Sequence, residues 1–190
     1  NGYSTGKPVG KRARSVSVAA LISDCEPELR AKITESLQKG FGVQNLILHS
    51  DVRALLHATH MNPVHANRHL IVDVSGDSTN CVVIHKDTAA DHIVIPEGAR
   101  TILKRIVGSG MAEETLSLMR MVARDTCGTP ACEQLNASIA RVETELVKIF
   151  GEAFGKLISE RRLPNDLVLI VIPDLAPWLS NFFSRIDFGQ

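Results

Sequence analysis

The chain has 190 residues, 44% of them hydrophobic and 22% charged, a balance that suits one globular domain, or one domain plus a small lobe, able to bury a core. Lysine plus arginine and aspartate plus glutamate each total 21, so the formal net charge is zero and no global field draws the protein to nucleic acid or an anionic surface. No apolar run approaches the roughly 20 residues of a membrane span, no signal peptide is visible, and the start at Asn1 without a methionine reads as a fragment or a missing natural beginning.

Residues 1–14 are rich in Gly, Pro, Lys and Arg and read as a loop. In Ser15 to Ile22, Val16, Val18, Ala20 and Ile22 alternate as in a half-buried strand. Ser23 to Lys39 reads as a helix: Ser23 and Glu26 have capping-box spacing, Leu29, Ile33 and Leu37 form a stripe, and Gly40 can end it. Val43 to Leu48 reads as a second strand, and Asp51 to His60 as a short helix capped by Ser50. Three strands follow in quick succession, Leu70 to Val74, Cys81 to His85 and His92 to Ile95. Helices are predicted over Gly98 to Val107 and Ala112 to Arg124, then a long helical stretch from Cys132 to Arg162. Leu163 to Asp166 is a turn, Leu167 to Ile172 an apolar run of the kind a central parallel strand shows, and Leu175 to Arg185 a last helix.

The segment LIVDVSGDSTNCVVIHKD, Leu70 to Asp87, carries the most chemistry. Its turn holds Asp73 at the entrance, then Ser75, Gly76, Asp77, Ser78 and Thr79 before the second strand. Small residues let backbone N–H groups converge on an anion, and an acid beside hydroxyls can hold a hydrated metal or orient a water. The same residues also make an ordinary hairpin turn, and both readings stand at this point. Other constellations carry less. Gly2 to Pro8 is one residue short of a Walker loop and has Pro8 in place of the hydroxyl. Lys7, Lys11, Arg12 and Arg14 read as solvated loop charges. His57, His60, His65 and His69 straddle Pro63 and read as surface histidines rather than a zinc set. Cys81 should be buried, and Cys127 and Cys132 lack the second pair of a zinc knuckle, leaving a disulfide that would be unusual in a reducing cytoplasm.

Taken together these segments resemble the second half of the actin-like ATPase fold. Within that superfamily they look like the FtsA-type bacterial cell-division proteins, with PilM-type pilus-assembly proteins as near relatives. NGYSTGKPVGKRARSVSV is similar to the start of the FtsA inserted subdomain, and DVSGDSTNCVVI lies where the family carries its second phosphate loop. IPEGARTIL resembles the following strand exit with its Gly-Gly turn, AEETL falls at the family's Ala-Glu-x-x-Lys helix, and LPNDLVLIVIPDLAPWL lies where the adenosine loop begins. The departures are Ser75 for a loop glycine, Asn80 for the closing acid, Ala99 for the second glycine, Leu116 for the lysine, and Pro173-Asp174 for the Gly-Gly pair of the adenosine loop.

The resemblance implies an α/β chain: a mixed sheet flanked by helices, the second half of an actin-like (ribonuclease-H-like) fold, preceded by part of a small α+β inserted subdomain. Residues 1–50 would be that subdomain, 51–69 a connecting helix and linker, and 70–190 the subdomain with the phosphate hairpin. It implies ATP or ADP with Mg, with Ser75, Gly76, Asp77, Ser78 and Thr79 at the phosphates, Asp73 near the metal or the attacking water, and Glu113 facing the sugar. It implies a nucleotide-responsive assembly scaffold of the division or envelope machinery, cytoplasmic and at the inner face of the membrane. Partners would be other copies and other assembly proteins, with peripheral membrane association of the full-length protein and no nucleic acid. The eroded adenosine loop keeps a second class open, a nucleotide-free fold serving as a protein-interaction module. ATP hydrolysis by the chain alone is not expected, since half of the apparatus for phosphoryl transfer is missing.

Overall fold

The computed structural model describes residues 9, 10, 12, 14, 24–60, 68–85, 88–108, 110–157 and 163–186. The predicted strand over residues 15–22 lies outside them. The chain divides into two compact units, Asn1–Gln44 and Asn45–Gln190. In the first, helix α1 spans Pro27–Phe41, starting and ending later than the stripe suggests. Pro27 sits at the first helical position, where its fixed φ is suitable and its missing N–H costs nothing. Glu26 is the N-cap, and the helix stops at Gly42 rather than Gly40 because Gly42 takes the left-handed conformation, φ 65°.

In the second unit the order is α2 (Asp51–His60), β1 (Arg68–Val74), β2 (Thr79–His85), β3 (Thr88–Ile95), α3 (Ala99–Val107), α4 (Ala112–Ala123), α5 (Pro130–Leu157), β4 (Leu167–Ile170) and α6 (Ala176–Arg185). The predicted strand at Val43 to Leu48 is absent. A strand needs a ladder partner; residues 45–50 are irregular, and Ile47 and Leu48 are exposed.

The four strands form one mixed sheet in the order β3-β2-β1-β4. β1, β2 and β3 are an antiparallel meander, and β4 runs parallel beside β1, pairing Leu70 with Leu167 and Asp73 with Ile170. β4 is thus parallel, as its apolar run suggests, but it closes the edge of this sheet rather than its centre, and all four residues are only half-buried. The apolar run continues to Ile172 while the strand ends at Ile170, and Pro173 follows with no N–H to give.

β1 and β2 are covered on both faces, which explains their unbroken apolar character. On one face Leu70, Val72, Val74, Cys81 and Val83 meet α3, α5 and α6. Cys81 is fully buried, as expected, and burial pushes its thiol pKa up to about 12. On the other face Ile71, Val82 and Ile84 meet Val52, Leu55 and Leu56 of α2.

The large core is organised by α5. Val142, Leu146, Phe150 and Phe154 recur every fourth residue and are fully buried. The Phe150 ring stands edge-on to Phe183 with centroids 5.1 Å apart and contacts Phe154 and Phe182. Trp178 and Arg185 of α6 both donate to Glu143 Oε1 of α5, at 2.8 and 2.7 Å. A disulfide joins Cys127 to Cys132, tying the loop after α4 to the first turn of α5. His69 is buried in β1 rather than on the surface. No helix among the described residues is long and apolar enough to cross a membrane.

Phe150→Ala should leave a cavity at the centre of this cluster and cost about 3–5 kcal/mol, a large share of the roughly 5–15 kcal/mol available to a domain. A urea titration should show the midpoint falling sharply, with Val147→Ala, at a half-exposed position of the same helix, shifting it little.

Candidate functional site

The hairpin between β1 and β2 is built on the start of α3. The N–H of Ser75 donates to Ser78 O at 3.0 Å and closes the turn. The N–H groups of Ala99 and Arg100 donate to Ser75 O and Gly76 O at 2.7 and 2.8 Å, so the hairpin carbonyls cap the helix. Thr101 Oγ1 accepts from the N–H of Gly98 at 2.7 Å. Gly98 lies flat against the turn: a Cβ there would stand 2.4 Å from Ser78 N and 2.6 Å from the Asp77 carbonyl carbon. Its φ of −130° suits any residue, so glycine is required here for space alone.

Asp73 and Asn80 are cross-strand partners on the face that α2 covers. Asp51, the first residue of α2, comes down onto them. Asn80 Nδ2 donates to Asp51 Oδ2 at 3.3 Å and also hydrogen-bonds Asp73, while Ser75 Oγ donates to Asp73 Oδ2 at 3.3 Å. One amide therefore holds two carboxylates side by side. Burial first, and the neighbouring Asp51 charge second, raise the Asp73 pKa above the ordinary 3.8; the hydrogen bonds from Ser75 and Asn80 pull the other way. Ser50 caps α2, its Oγ accepting from Arg53 N at 3.3 Å, so α2 itself sets the position of Asp51.

The predicted residues therefore divide. Asp73 and Ser75 join Asp51 and Asn80. Gly76, Asp77 and Ser78 form the tip, where Gly76 and Asp77 are exposed and the Asp77 carboxylate is ion-paired to Arg100. Thr79 is fully buried, and the hydroxyl expected at a phosphate donates to Glu97 O at 2.6 Å, pinning β2 to the loop before α3. Glu97 is itself buried and takes two hydrogen bonds from Arg105, at 2.9 and 3.0 Å. Glu113 is exposed in the first turn of α4, on the side of Arg120, whose pKa it helps to raise. Sequence reading missed Asp51, which shows there only as a helix start, and Arg100, which shows only as one more charge on a helix.

The chemistry of the hairpin and the Asp51–Asp73 pair would suit an anion with a hydrated cation. Two adjoining carboxylates, Asp73 with its pKa raised by burial and by the Asp51 charge, are what a divalent ion would relieve, and the turn is made of small residues. The segment expected to begin the adenosine loop is engaged in structural contacts of its own. Arg120 grips Asp174 through two bonds of 2.7 and 2.8 Å, which hold the Asp174 pKa below its usual value, and the N–H groups of Leu175 and Ala176 are satisfied by Ile172 O and Pro173 O. Among the described residues no cluster of three or more His, Cys, Asp or Glu could hold a metal ion.

No protein-family model and no curated protein matches the chain. Solved structures do. A chain of the PilM-PilN type IV pilus biogenesis complex is 17% identical, with a TM-score of 0.57 over 83% of this chain and 46% of that chain. This is the actin-like ATPase fold. Ethanolamine utilization protein EutJ from Carboxydothermus hydrogenoformans is 20% identical, with a TM-score of 0.48 over 69% of this chain and 44% of that one. The chain spans less than half the length of either neighbour. Within the actin-like fold, the hairpin and the Asp51–Asn80–Asp73 group lie at the C-terminal ends of the parallel pair β1 and β4, where α/β sheets bind ligands.

Gly98→Ala should force the turn away from α3 and cost roughly 2 kcal/mol or more, read as a lower melting temperature. Asp73→Asn should do the opposite. A carboxyl whose pKa is raised in the fold favours folding in its protonated form, a contribution full below 3.8 and lost as pH rises through the folded-state value. At pH 7 the variant should therefore melt slightly higher than the wild type, with the gain shrinking as pH falls towards 3.8.

Proposed function

We propose that this chain is the phosphate-binding half of an actin-like assembly protein and that its hairpin takes the phosphates of ATP or ADP with Mg. The observation that carries the reading is the placement of Asp51 against Asp73 by Asn80, beside a turn of small residues. Surface carboxylates normally avoid one another; a pair held together at the end of a parallel strand pair suits a cation brought in by a phosphate. Gly76, Asp77 and Ser78 would present backbone N–H groups to the phosphate oxygens, Ser75 would orient Asp73, and Asp51 and Asp73 would face the hydrated metal, which supplies charge neutralisation. Glu113 would face the sugar, approached from α4.

The role built on this site is that of an FtsA-type or PilM-type scaffold: nucleotide would bias contacts with further copies and with other proteins of the division or envelope machinery, in the cytoplasm at the inner face of the membrane. The PilM-PilN neighbour, a pilus biogenesis complex, supports the envelope side of the reading. One observation favours the second reading, a nucleotide-free interaction module. The residues at the adenosine position, Pro173 and Asp174, are committed to Arg120 and to their own turn.

Calorimetry with ATP and ADP in the presence of magnesium separates the two, on this chain and on the longest natural protein that carries it. Binding with a micromolar to millimolar constant, weakened about tenfold or more by Asp51→Ala and by Asp73→Ala, is the expected result. No binding by either protein would leave the interaction module as the reading.

A further inference from the structure

We infer that Arg100 is the side-chain cation that grips the phosphate at the hairpin, and that Asp77 occupies it as an internal competitor until a phosphate arrives. The inference rests on the nucleotide reading of the same site and names how that site recognises and regulates its ligand. At the start of α3 three N–H groups are already committed, Gly98 N on Thr101 Oγ1, Ala99 N on Ser75 O and Arg100 N on Gly76 O, which leaves little of the helix start for an anion. The positive charge at the turn comes instead from the guanidinium of Arg100, folded back over it. A Cβ placed at Gly76 would lie 3.3 Å from both Nε and Nη2 of Arg100. A side chain at position 76 would therefore crowd the guanidinium, and glycine leaves it lying on the turn backbone.

The partner that Arg100 holds is Asp77 of the turn itself, paired from Nη2 to Oδ2. Both side chains are largely exposed, 73% and 69%, so the pair is wet, screened and weak. A phosphate offers the same fork two oxygens and more negative charge, and a guanidinium holds phosphate in a planar, bidentate fashion that a single carboxylate contact does not equal. The exchange is a swap of one anion for another on a fixed cation: Asp77 leaves, the phosphate takes Nε and Nη2, and no covalent bond changes. Because the carboxylate must be displaced, Asp77 lowers phosphate affinity and makes the turn selective for a multiply charged ligand over a monovalent anion.

The test measures binding of magnesium ATP and of magnesium pyrophosphate to the full chain by calorimetry at low salt, for wild type, Arg100→Ala, Arg100→Lys and Asp77→Asn. Arg100→Ala should weaken both ligands about tenfold or more, Arg100→Lys should fall between, and Asp77→Asn should tighten both by roughly three- to tenfold. Melting curves verify the fold, and should Arg100→Ala melt early, Arg100→Lys and Asp77→Asn carry the test. Wild-type binding that is unchanged in the arginine variants and in Asp77→Asn would overturn this inference and leave the nucleotide reading standing. Binding gained by Asp77→Asn where the wild type shows none would support the competitor role. No binding by wild type or Asp77→Asn would overturn both.

Discussion

The candidate site depends on one backbone-to-backbone contact, between the β1–β2 turn and Gly98. Two chain segments approach so closely there that no Cβ fits between them. The contact does two jobs at once. It gives the first N–H groups of α3 the carbonyls of Ser75 and Gly76 as acceptors, and it holds the turn in one shape against the helix. Thr79 and Glu97 reinforce it from below, through a buried hydroxyl-to-carbonyl bond and a buried carboxylate held by Arg105. Those bonds are worth more than the exposed pair above them, because a buried polar group left without its partner is costly while an exposed ion pair is nearly neutral. Rigidity thus lies under the turn, and exchangeable charge lies on top of it.

The sheet separates structural from chemical work by face. One face of β1 and β2 carries Leu70, Val72, Val74, Cys81 and Val83 and meets the Phe150-centred core. The other is apolar only as far as Ile71, Val82 and Ile84, where α2 covers it, and then turns polar at Asp73 and Asn80. The start of α2 stands over that change, so its first residue, Asp51, meets Asp73 instead of water alone. Asn80 makes this arrangement tolerable. An acid at that position would put a third negative charge in the group, whereas an amide can donate to both carboxylates.

Arg120 and Asp174 form a bidentate pair at the position that the resemblance assigned to the adenosine loop, and Glu113 lies near Arg120. That pair is a structural clasp between α4 and the turn before α6, whereas the proposed phosphate contacts lie at the hairpin. That asymmetry is why the assembly-scaffold and interaction-module readings part at nucleotide binding and not at the fold.

The amino-acid pattern by itself marked strands and helices, because each rests on local periodicity: Leu70 to Val74 and Cys81 to His85 read as strands, and Val142, Leu146, Phe150 and Phe154 mark one face of a helix; Leu167 to Ile172 read as a parallel strand from its apolar run, and the meander came from the resemblance. It also marked Asp73, Ser75, Gly76, Asp77 and Ser78 as a turn with chemistry, since small and acidic residues there are visible without neighbours. What periodicity cannot convey is whether an apolar stretch finds a partner, so Val43 to Leu48 stayed irregular and β4 closed an edge. Only the tertiary structure decided that Thr79 points into the protein, that Asp51 belongs with Asp73, and that Arg100 lies over Gly76. Each of these joins segments distant in sequence through side-chain direction or close backbone approach, quantities set by packing rather than by local composition.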